Sequence, residues 1–174
     1  MRKYQYAENA SKFHKKVGDI LRSSPVLKHH GVIQEYPVTL VNKLVTDGRL
    51  KFDWVILKLK IVIELHGKQH YHVTSFGGES DEEAVSKFNA QKYRDSLKRQ
   101  AAITAGWRYL EIPYSLEKVI DEAMILRLIN EATWVEDLTE DVETRYEKSL
   151  RLKREWNKKC YKENKDAKSR AKAL

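Results

Sequence analysis

The chain contains one cysteine, Cys160, among its 174 residues. This scarcity excludes an internal disulfide framework and any zinc site that needs several cysteines. The sequence also lacks an apolar run near the roughly 20 residues that a membrane span requires, and its first residues lack the apolar stretch of a signal peptide. We therefore expect a protein that works in the cytoplasm and has no membrane partner.

Glycine and proline are absent from the C-terminal third of the chain. All seven glycines and all three prolines lie at or before Pro113, so residues 114–174 lack the two residue types that most oppose helix formation. An apolar stripe with helical spacing covers residues 116–132, and a sparser one covers residues 139–164. We predict a core domain over residues 1–114 and a helical, charged extension over residues 115–174.

Charge of either sign is unevenly distributed, although the net charge is +8. Residues 1–114 carry 19 Lys and Arg against 12 Asp and Glu, residues 115–144 carry 2 against 9, and residues 145–174 carry 12 against 4. Basic surfaces bind polyphosphates by releasing counterions, so the two basic blocks favour a nucleic-acid partner. The acidic block offers the C-terminal basic block another partner, within the chain or in a second copy.

The hydrophobic pattern of the first 114 residues alternates between helix and strand. Pro37 marks one predicted strand as an edge strand or the position of a bulge. The predicted elements are helices at 7–22 and 87–105, strands at 32–41, 51–57, 60–66 and 107–113, and a loop at 71–86. This order predicts an α/β fold in which a mixed sheet is flanked by helices.

Two of these predictions are specific enough to check residue by residue. The second helix is expected to end at Gly106, which suits a C-cap. Its inward-facing side chains are predicted to be Phe88, Tyr93, Leu97 and Ile103.

The strands at 51–57 and 60–66 are joined so closely that they must form a hairpin, and each carries one acid. Asp53 and Glu64 become near cross-strand partners among apolar neighbours, where a lone carboxylate is costly. Two carboxylates that converge at a sheet edge suit a hard divalent cation, with the Leu65 carbonyl as a further oxygen ligand. We predict that Asp53 and Glu64 hold Mg²⁺ or Mn²⁺ against a scissile phosphate.

Side chains alternate along a strand, so His66 points to the same face as Glu64. Its ordinary pKa suits proton transfer near neutrality, which makes it a candidate general base or leaving-group contact. Gln69 and His70 follow just beyond Gly67 and are further candidates for the site. A zinc site made of His66, His70 and His72 is an alternative reading.

These residues resemble the PD-(D/E)XK, or restriction-endonuclease-like, nuclease superfamily over residues 7–114. Asp53 and Glu64 match its two acids, and His66 stands where its lysine would be. The segment V-I-E-L-H-G-K-Q-H, followed by Tyr93-Arg94-Asp95 and Gly106-Trp107-Arg108, is similar to the branch containing very-short-patch repair endonucleases and related phage homing endonucleases. The resemblance implies a restriction-endonuclease-like core, DNA cleavage, and a bacterial or phage-infected host cell.

The resemblance also has consequences for residues outside the hairpin. Many superfamily members add an acid from the first helix, for which Glu8 is the better candidate, Asp19 an alternative and Glu35, on a strand, a third. The cysteine-rich zinc site of the repair endonucleases is missing, so the same mismatch target is not implied.

Basic side chains supply the predicted contacts to the DNA backbone, and these give affinity without sequence information. The candidates are Lys68, Arg94, Lys98 and Arg99 in the core, and Lys153, Arg154, Lys158 and Lys159 in the extension. Cleavage of both strands by so small a protein would suggest a homodimer or sequential nicks.

Three other functions remain open at this stage. One is a nuclease of the same fold that acts on branched or damaged DNA, or on RNA. Another is a nucleic-acid-binding protein without catalysis, favoured by the missing lysine. The third is a partner-binding module in which the hairpin acids are structural.

Overall fold

The computed structural model describes residues 5–8, 10–75 and 78–132, and then 151, 154–155, 158–159 and 161–162. Its central feature is a four-stranded sheet with the strand order β1-β2-β3-β4. The strands are β1 (Val32–Pro37), β2 (Lys51–Ile56), β3 (Ile61–His66) and β4 (Arg108–Pro113). Neighbours are antiparallel except β3 and β4, which are parallel.

Within the described residues up to 132, four α-helices accompany this sheet: α1 (Lys12–Ser23), the single turn α2 (Val38–Val41), α3 (Asp81–Thr104) and α4 (Glu122–Glu131). Helix α3 connects the two parallel strands, as a parallel pair requires a crossover connection. One apolar cluster joins residues of α1 and α4 to one set of sheet side chains, and a second joins α2 and α3 to another. The sheet is therefore covered on both faces, and the predicted α/β class and mixed sheet are confirmed.

The strand predictions are close to the structure. The hairpin forms as expected, and β1 lies at an edge of the sheet, which accommodates Pro37. The predicted strand over 32–41 was too long, because Val38–Val41 turns into α2 directly after the proline. Gly106 follows the last turn of α3 with a φ of +73°, the left-handed conformation of a terminating glycine.

The helix boundaries needed more correction. Helix α1 begins at Lys12 rather than residue 7, because the Ser11 hydroxyl caps it by accepting the His14 N–H at 3.1 Å. Helix α3 begins at Asp81, so part of the predicted loop over 71–86 is helical. Tyr93 was wrongly placed inward, since 66 % of it is exposed. Phe88, Leu97 and Ile103 are partly buried.

The apolar stripe at 116–132 lies against the sheet. It forms a short 3₁₀ turn at Tyr114–Leu116 and then α4, rather than one continuous helix. Leu116, Ile120, Met124 and Ile125 belong to the same buried cluster as Trp54 of β2. The packed core therefore continues beyond residue 114, where the predicted extension was expected to begin.

The described residues between 151 and 162 are helical and exposed. Most of the predicted helix at 139–164 lies outside the described residues. In the part of the chain that the structure describes, no helix has the length and apolar character of a membrane span.

Candidate functional site

The two hairpin acids lie where β2 and β3 separate. The last paired residues of this ladder are Trp54 and Ile63, and Asp53 and Glu64 come next on the two strands. We call this point the fork. There the Asp53 carboxylate accepts the Leu65 N–H at 2.7 Å, and the Glu64 carboxylate accepts the Asp53 N–H at 3.2 Å. Side-chain oxygens thus satisfy backbone groups that the ladder leaves unpaired.

The register extends this pair into a row of acids across the sheet. Glu64 is the register partner of Glu111 on β4. Glu35 lies between Gln34 and Tyr36, whose partners flank Asp53 on β2. It adopts a φ of +52°, in the left-handed region. Four neighbouring strands therefore each contribute one carboxylate at the same level of the sheet.

A cavity of about 780 Å³ opens beside the fork. We call it the site cavity. Its walls come from the approach to α1, the fork, the turn after β3, and α3. The titratable and polar side chains on its walls include Glu8, His14, Glu35, Asp53, Glu64, Lys68, Gln69, His70, Gln91 and Lys98. The fold thus brings together most of the residues predicted for the site.

Glu64 is buried, with 2 % of its surface exposed. Burial, reinforced by the charge of Asp53, raises the pKa of Glu64 to about 7, although Lys98 opposes the shift. The Lys98 ammonium donates to Glu64 Oε2 at 2.8 Å. Burial opposes the charged form of Lys98 too, but Glu64 outweighs it and raises the lysine pKa. The Glu64 carboxyl group is therefore harder to ionise than an ordinary glutamate even with this lysine in place.

His66 lies behind the cavity rather than on its wall. It is 2 % exposed, and its Nδ1 lies 3.2 Å from Glu111 Oε1, which also accepts the Tyr71 hydroxyl at 2.6 Å. Burial opposes protonation of His66, but the carboxylates of Glu111, Asp95 and Glu64 outweigh burial and raise its pKa. His66 thus forms a histidine–carboxylate dyad with Glu111.

His70 forms a second dyad, and this one faces the cavity. Its Nδ1 lies 2.7 Å from Asp95 Oδ2, and Gln91 donates to Asp95 Oδ1 at 2.9 Å. Burial opposes ionisation of Asp95, but His70 and His66 outweigh it and lower the pKa of the carboxyl group. The rings of His66 and His70 are stacked, with centroids 4.2 Å apart and planes inclined by 14°.

His66, His70 and Asp95 also offer ligand atoms that lie within 4.8 Å of one another. The stacking argues against a shared ion in this arrangement. A histidine nitrogen binds a metal in the plane of its ring, and the planes of two rings stacked at a centroid distance of 4.2 Å and inclined by only 14° do not meet near either ring. The predicted alternative of a zinc site with His72 is not assembled, since His72 is exposed and is not among the residues whose ligand atoms cluster with those of His66 and His70.

On the α1 side, His14 is the residue nearest the fork. It is 7 % exposed, and its Nδ1 lies 3.9 Å from Asp53 Oδ1. Its ring packs against Trp54 at a centroid distance of 5.0 Å. Burial lowers the pKa of His14, an effect that Asp53 and Glu35 only partly offset. A neutral imidazole therefore faces the carboxylate across a gap too long for a hydrogen bond.

The three candidates for an additional acid differ in whether they line the site cavity. Glu8 precedes α1 and lines the cavity with its exposed side chain, and Glu35 lines it from β1. Asp19 is bonded by the Tyr6 hydroxyl and lies 3.8 Å from Arg22, on a part of α1 that does not line the cavity. Glu8 and Glu35 therefore remain candidates, and Asp19 does not.

The predicted DNA contacts fall into different environments. Lys68 is exposed at the cavity, and Arg94 is exposed and donates to Gln91 at 2.8 Å. Lys98 lies inside the cavity at Glu64, and Arg99 is 5 % exposed, which leaves little of it for a phosphate. In the extension, Arg154, Lys158 and Lys159 are exposed, and Lys153 lies outside the described residues.

Sequence reasoning missed five residues of the site: His14, Gln91, Asp95, Glu111 and Tyr71. A signal for two of them was present. Gln91, Asp95 and Lys98 are spaced by four and three residues, so they share one face of α3 and form a polar stripe toward the sheet. Glu111 and Tyr71 gave no such signal, because only the register of β4 and the turn after β3 bring them to His66.

Comparison with known proteins does not assign a function to the residues of this site. No family model matches the chain. Over 73 residues the chain is 32 % identical to uncharacterized protein 033L of Invertebrate iridescent virus 3. The match covers 42 % of this chain and 36 % of the viral protein, so the chain spans about a third of that relative's length.

Proposed function

We propose that the protein is a metal-dependent endonuclease that hydrolyses DNA phosphodiester bonds at the fork. The observation that carries the proposal is the pairing of Asp53 and Glu64 at the fork, on a cavity that Lys98 and the His70–Asp95 dyad also line. Acids, a buried amine and a histidine base on one cavity wall form a set suited to phosphoryl chemistry.

The donor set at the fork fits a divalent cation. Asp53 commits Oδ2 to the Leu65 N–H, which leaves Oδ1 on the cavity side as a ligand. Burial and the neighbouring charge of Asp53 raise the pKa of Glu64 to about 7, and a cation bound between the two acids would offset both effects. Mg²⁺ or Mn²⁺ held by Asp53 and Glu64 would stabilise the negative charge that develops on a phosphate during hydrolysis.

His70 is the residue that handles the proton in this proposal. Its Nδ1 is held by Asp95, so Nε2 is the nitrogen that exchanges a proton with water or with a leaving oxygen. His66, first expected in this role, is a positioning residue instead, because it is buried and supports the His70 ring by stacking.

Lys98 provides an amine beside the two acids. The nuclease superfamily that the sequence resembles has its lysine at the position that His66 occupies here. Lys98 comes from α3, and its ammonium group donates a hydrogen bond to the Glu64 carboxylate at 2.8 Å. Within the cavity, its charge is placed to balance Glu64 and to attract a phosphate oxygen. Its role is therefore in the site, rather than along the DNA backbone as first expected.

The basic surface would hold the rest of the substrate. Lys68 and Arg94 lie on the exposed side of the site, and the extension adds Arg154, Lys158 and Lys159. Such contacts with phosphate are independent of sequence and weaken as salt rises. A homodimer would bring two sites to the two strands of a duplex.

Supercoiled plasmid tests the proposal directly. With Mg²⁺ or Mn²⁺ we expect open-circle or linear product, none with EDTA, and a loss of about a hundredfold or more in rate for Glu64→Ala. His72→Gln, an exposed histidine near the site, is the matched control and should cleave like the wild type.

Cleavage by Glu64→Ala at the wild-type rate would contradict the proposal that the active site lies at the fork. Running the same samples with branched duplexes and RNA identifies the preferred substrate. Salt-sensitive binding without cleavage of any of the three would favour a non-catalytic nucleic-acid-binding protein.

A further inference from the structure

His14 has no role in the proposed hydrolysis. It is the third residue of α1, after Lys12 and Phe13, and it is 93 % buried at a wall of the site cavity. A histidine buried for packing alone normally bonds both of its ring nitrogens or lies away from charge. His14 does neither.

The two nitrogens of His14 are both unusual. Nε2 is buried and has no hydrogen-bond partner among the residues that the structure describes. Nδ1 faces Asp53 Oδ1, the oxygen that the backbone of β3 leaves open, at 3.9 Å. This separation is too long for a hydrogen bond. It is short enough for one ion to bridge, since two metal–ligand bonds of about 2.1 Å reach about 4.2 Å.

We propose that His14 is a nitrogen ligand of the cation at Asp53, and that the site therefore selects a Mn²⁺-class transition ion over Mg²⁺. The inference rests on the proposed function for the presence of a cation at the fork. Imidazole suits transition ions, whereas Mg²⁺ prefers ligand sets made of oxygen. Glu35, on the same wall of the cavity, adds a nearby carboxylate to the set.

The alternative nitrogen source is the pair of stacked histidines, and the two sources can be separated. His70 is committed to Asp95, and His66 to Glu111, whereas His14 has no committed carboxylate closer than 3.9 Å among the described residues. The nitrogen ligand should therefore depend on His14 and be independent of His70.

Pulsed electron paramagnetic resonance of Mn²⁺ bound to the full chain measures the ligand itself. We expect a ¹⁴N coupling in the wild type that persists in His70→Gln and in His29→Gln, an exposed control histidine. The coupling should disappear in His14→Phe, which keeps a ring against Trp54, and in His14→Gln, which serves if the first variant does not fold.

Calorimetric titration with each ion alone measures the selectivity. We expect the wild type to bind Mn²⁺ about tenfold or more tightly than Mg²⁺, and His14→Gln to lose about tenfold or more in Mn²⁺ affinity with little change for Mg²⁺. Equal affinity for the two ions, no ¹⁴N coupling in the wild type, or a coupling that survives in both His14 variants would overturn the inference.

Neither readout needs cleavage, so failure of the two proposals can be told apart. Binding of Mn²⁺ through His14 without DNA cleavage would support the role of His14 and contradict the proposed nuclease activity. DNA cleavage with a cation held only by oxygen ligands would support the nuclease activity and contradict the role of His14.

Discussion

At the scale of single residues, Glu64 shows how burial at the fork changes the ionisation of a carboxyl group. A carboxylate that is 2 % exposed is costly unless it is neutralised or bonded. Glu64 is bonded by the Asp53 N–H and by Lys98, yet its pKa still rises to about 7. The residue is therefore held in place at a cost that a bound cation would remove.

This cost predicts how stability depends on pH in chelator-treated protein. An ordinary glutamate has a pKa of 4.5, whereas the pKa of Glu64 in the folded protein is about 7, so the folded state binds more protons between these two values. Its contribution to stability is present below about pH 4.5 and is lost as pH rises to about 7, by at most about 3 kcal/mol.

Glu64→Gln removes that titration without removing the side chain. Urea unfolding at several pH values should show a stability curve for the variant that falls less than that of the wild type between pH 4.5 and 7, with the other titrating groups common to both. Parallel curves for the two proteins would contradict the assignment of the raised pKa to Glu64.

The residues of the site differ in how far sequence could reveal them. Asp53 and Glu64 could be predicted because a tight hairpin fixes its own register, and Gln69 and His70 because they follow it at once. The roles of His66 and His70 could not, since only the turn after β3 decides which ring faces the cavity. His14 was missed because one helical histidine among lysines carries no pattern of its own.

At the scale of elements, α3 organises the site. It carries Gln91, Asp95 and Lys98 along one face, and its crossover places that face over β3. Its first turn begins earlier than its hydrophobic pattern indicates, because Ser80 and Glu83 form a capping box with bonds of 3.2 and 3.1 Å. The S-x-x-E signature was present in the sequence, and it identifies helix starts that apolar spacing leaves hidden.

The capping box predicts the effect of one substitution on stability. Ser80→Ala should lower the free energy of unfolding by about 1 kcal/mol, because it leaves the Glu83 N–H in the first turn of α3 without its side-chain acceptor. Ser86→Ala, at an exposed position of the same helix, is the control and should change stability by at most a few tenths of a kcal/mol. Equal effects of the two substitutions in thermal or urea unfolding would argue against the cap.

At the scale of the whole molecule, composition predicted the class but not the boundary of the core. Alternating helix and strand patterns indicated a covered mixed sheet, and the structure confirms it. The segment from residue 115 was predicted to be a helical, charged extension, yet α4 buries Met124, Ile125, Leu128 and Ile129 against the sheet. Charge describes the exposed side of a helix, whereas its apolar stripe decides where it packs.

We expect different parts of the molecule to bind DNA and to cleave it. Basic residues on the surface are expected to provide affinity for DNA, and the fork is expected to provide cleavage. A change at the fork should therefore affect the second function and leave most of the first.

The most direct measurement is cleavage by Asp53→Asn at DNA concentrations where wild type and variant bind equally, with Mn²⁺ present. We predict near-wild-type DNA affinity, and cleavage reduced about a hundredfold or more, since the amide cannot replace the charged ligand at the fork. Undiminished cleavage by the variant, or no metal-dependent cleavage by the wild type on duplex, branched DNA or RNA, would contradict the proposal that the fork is a nuclease active site.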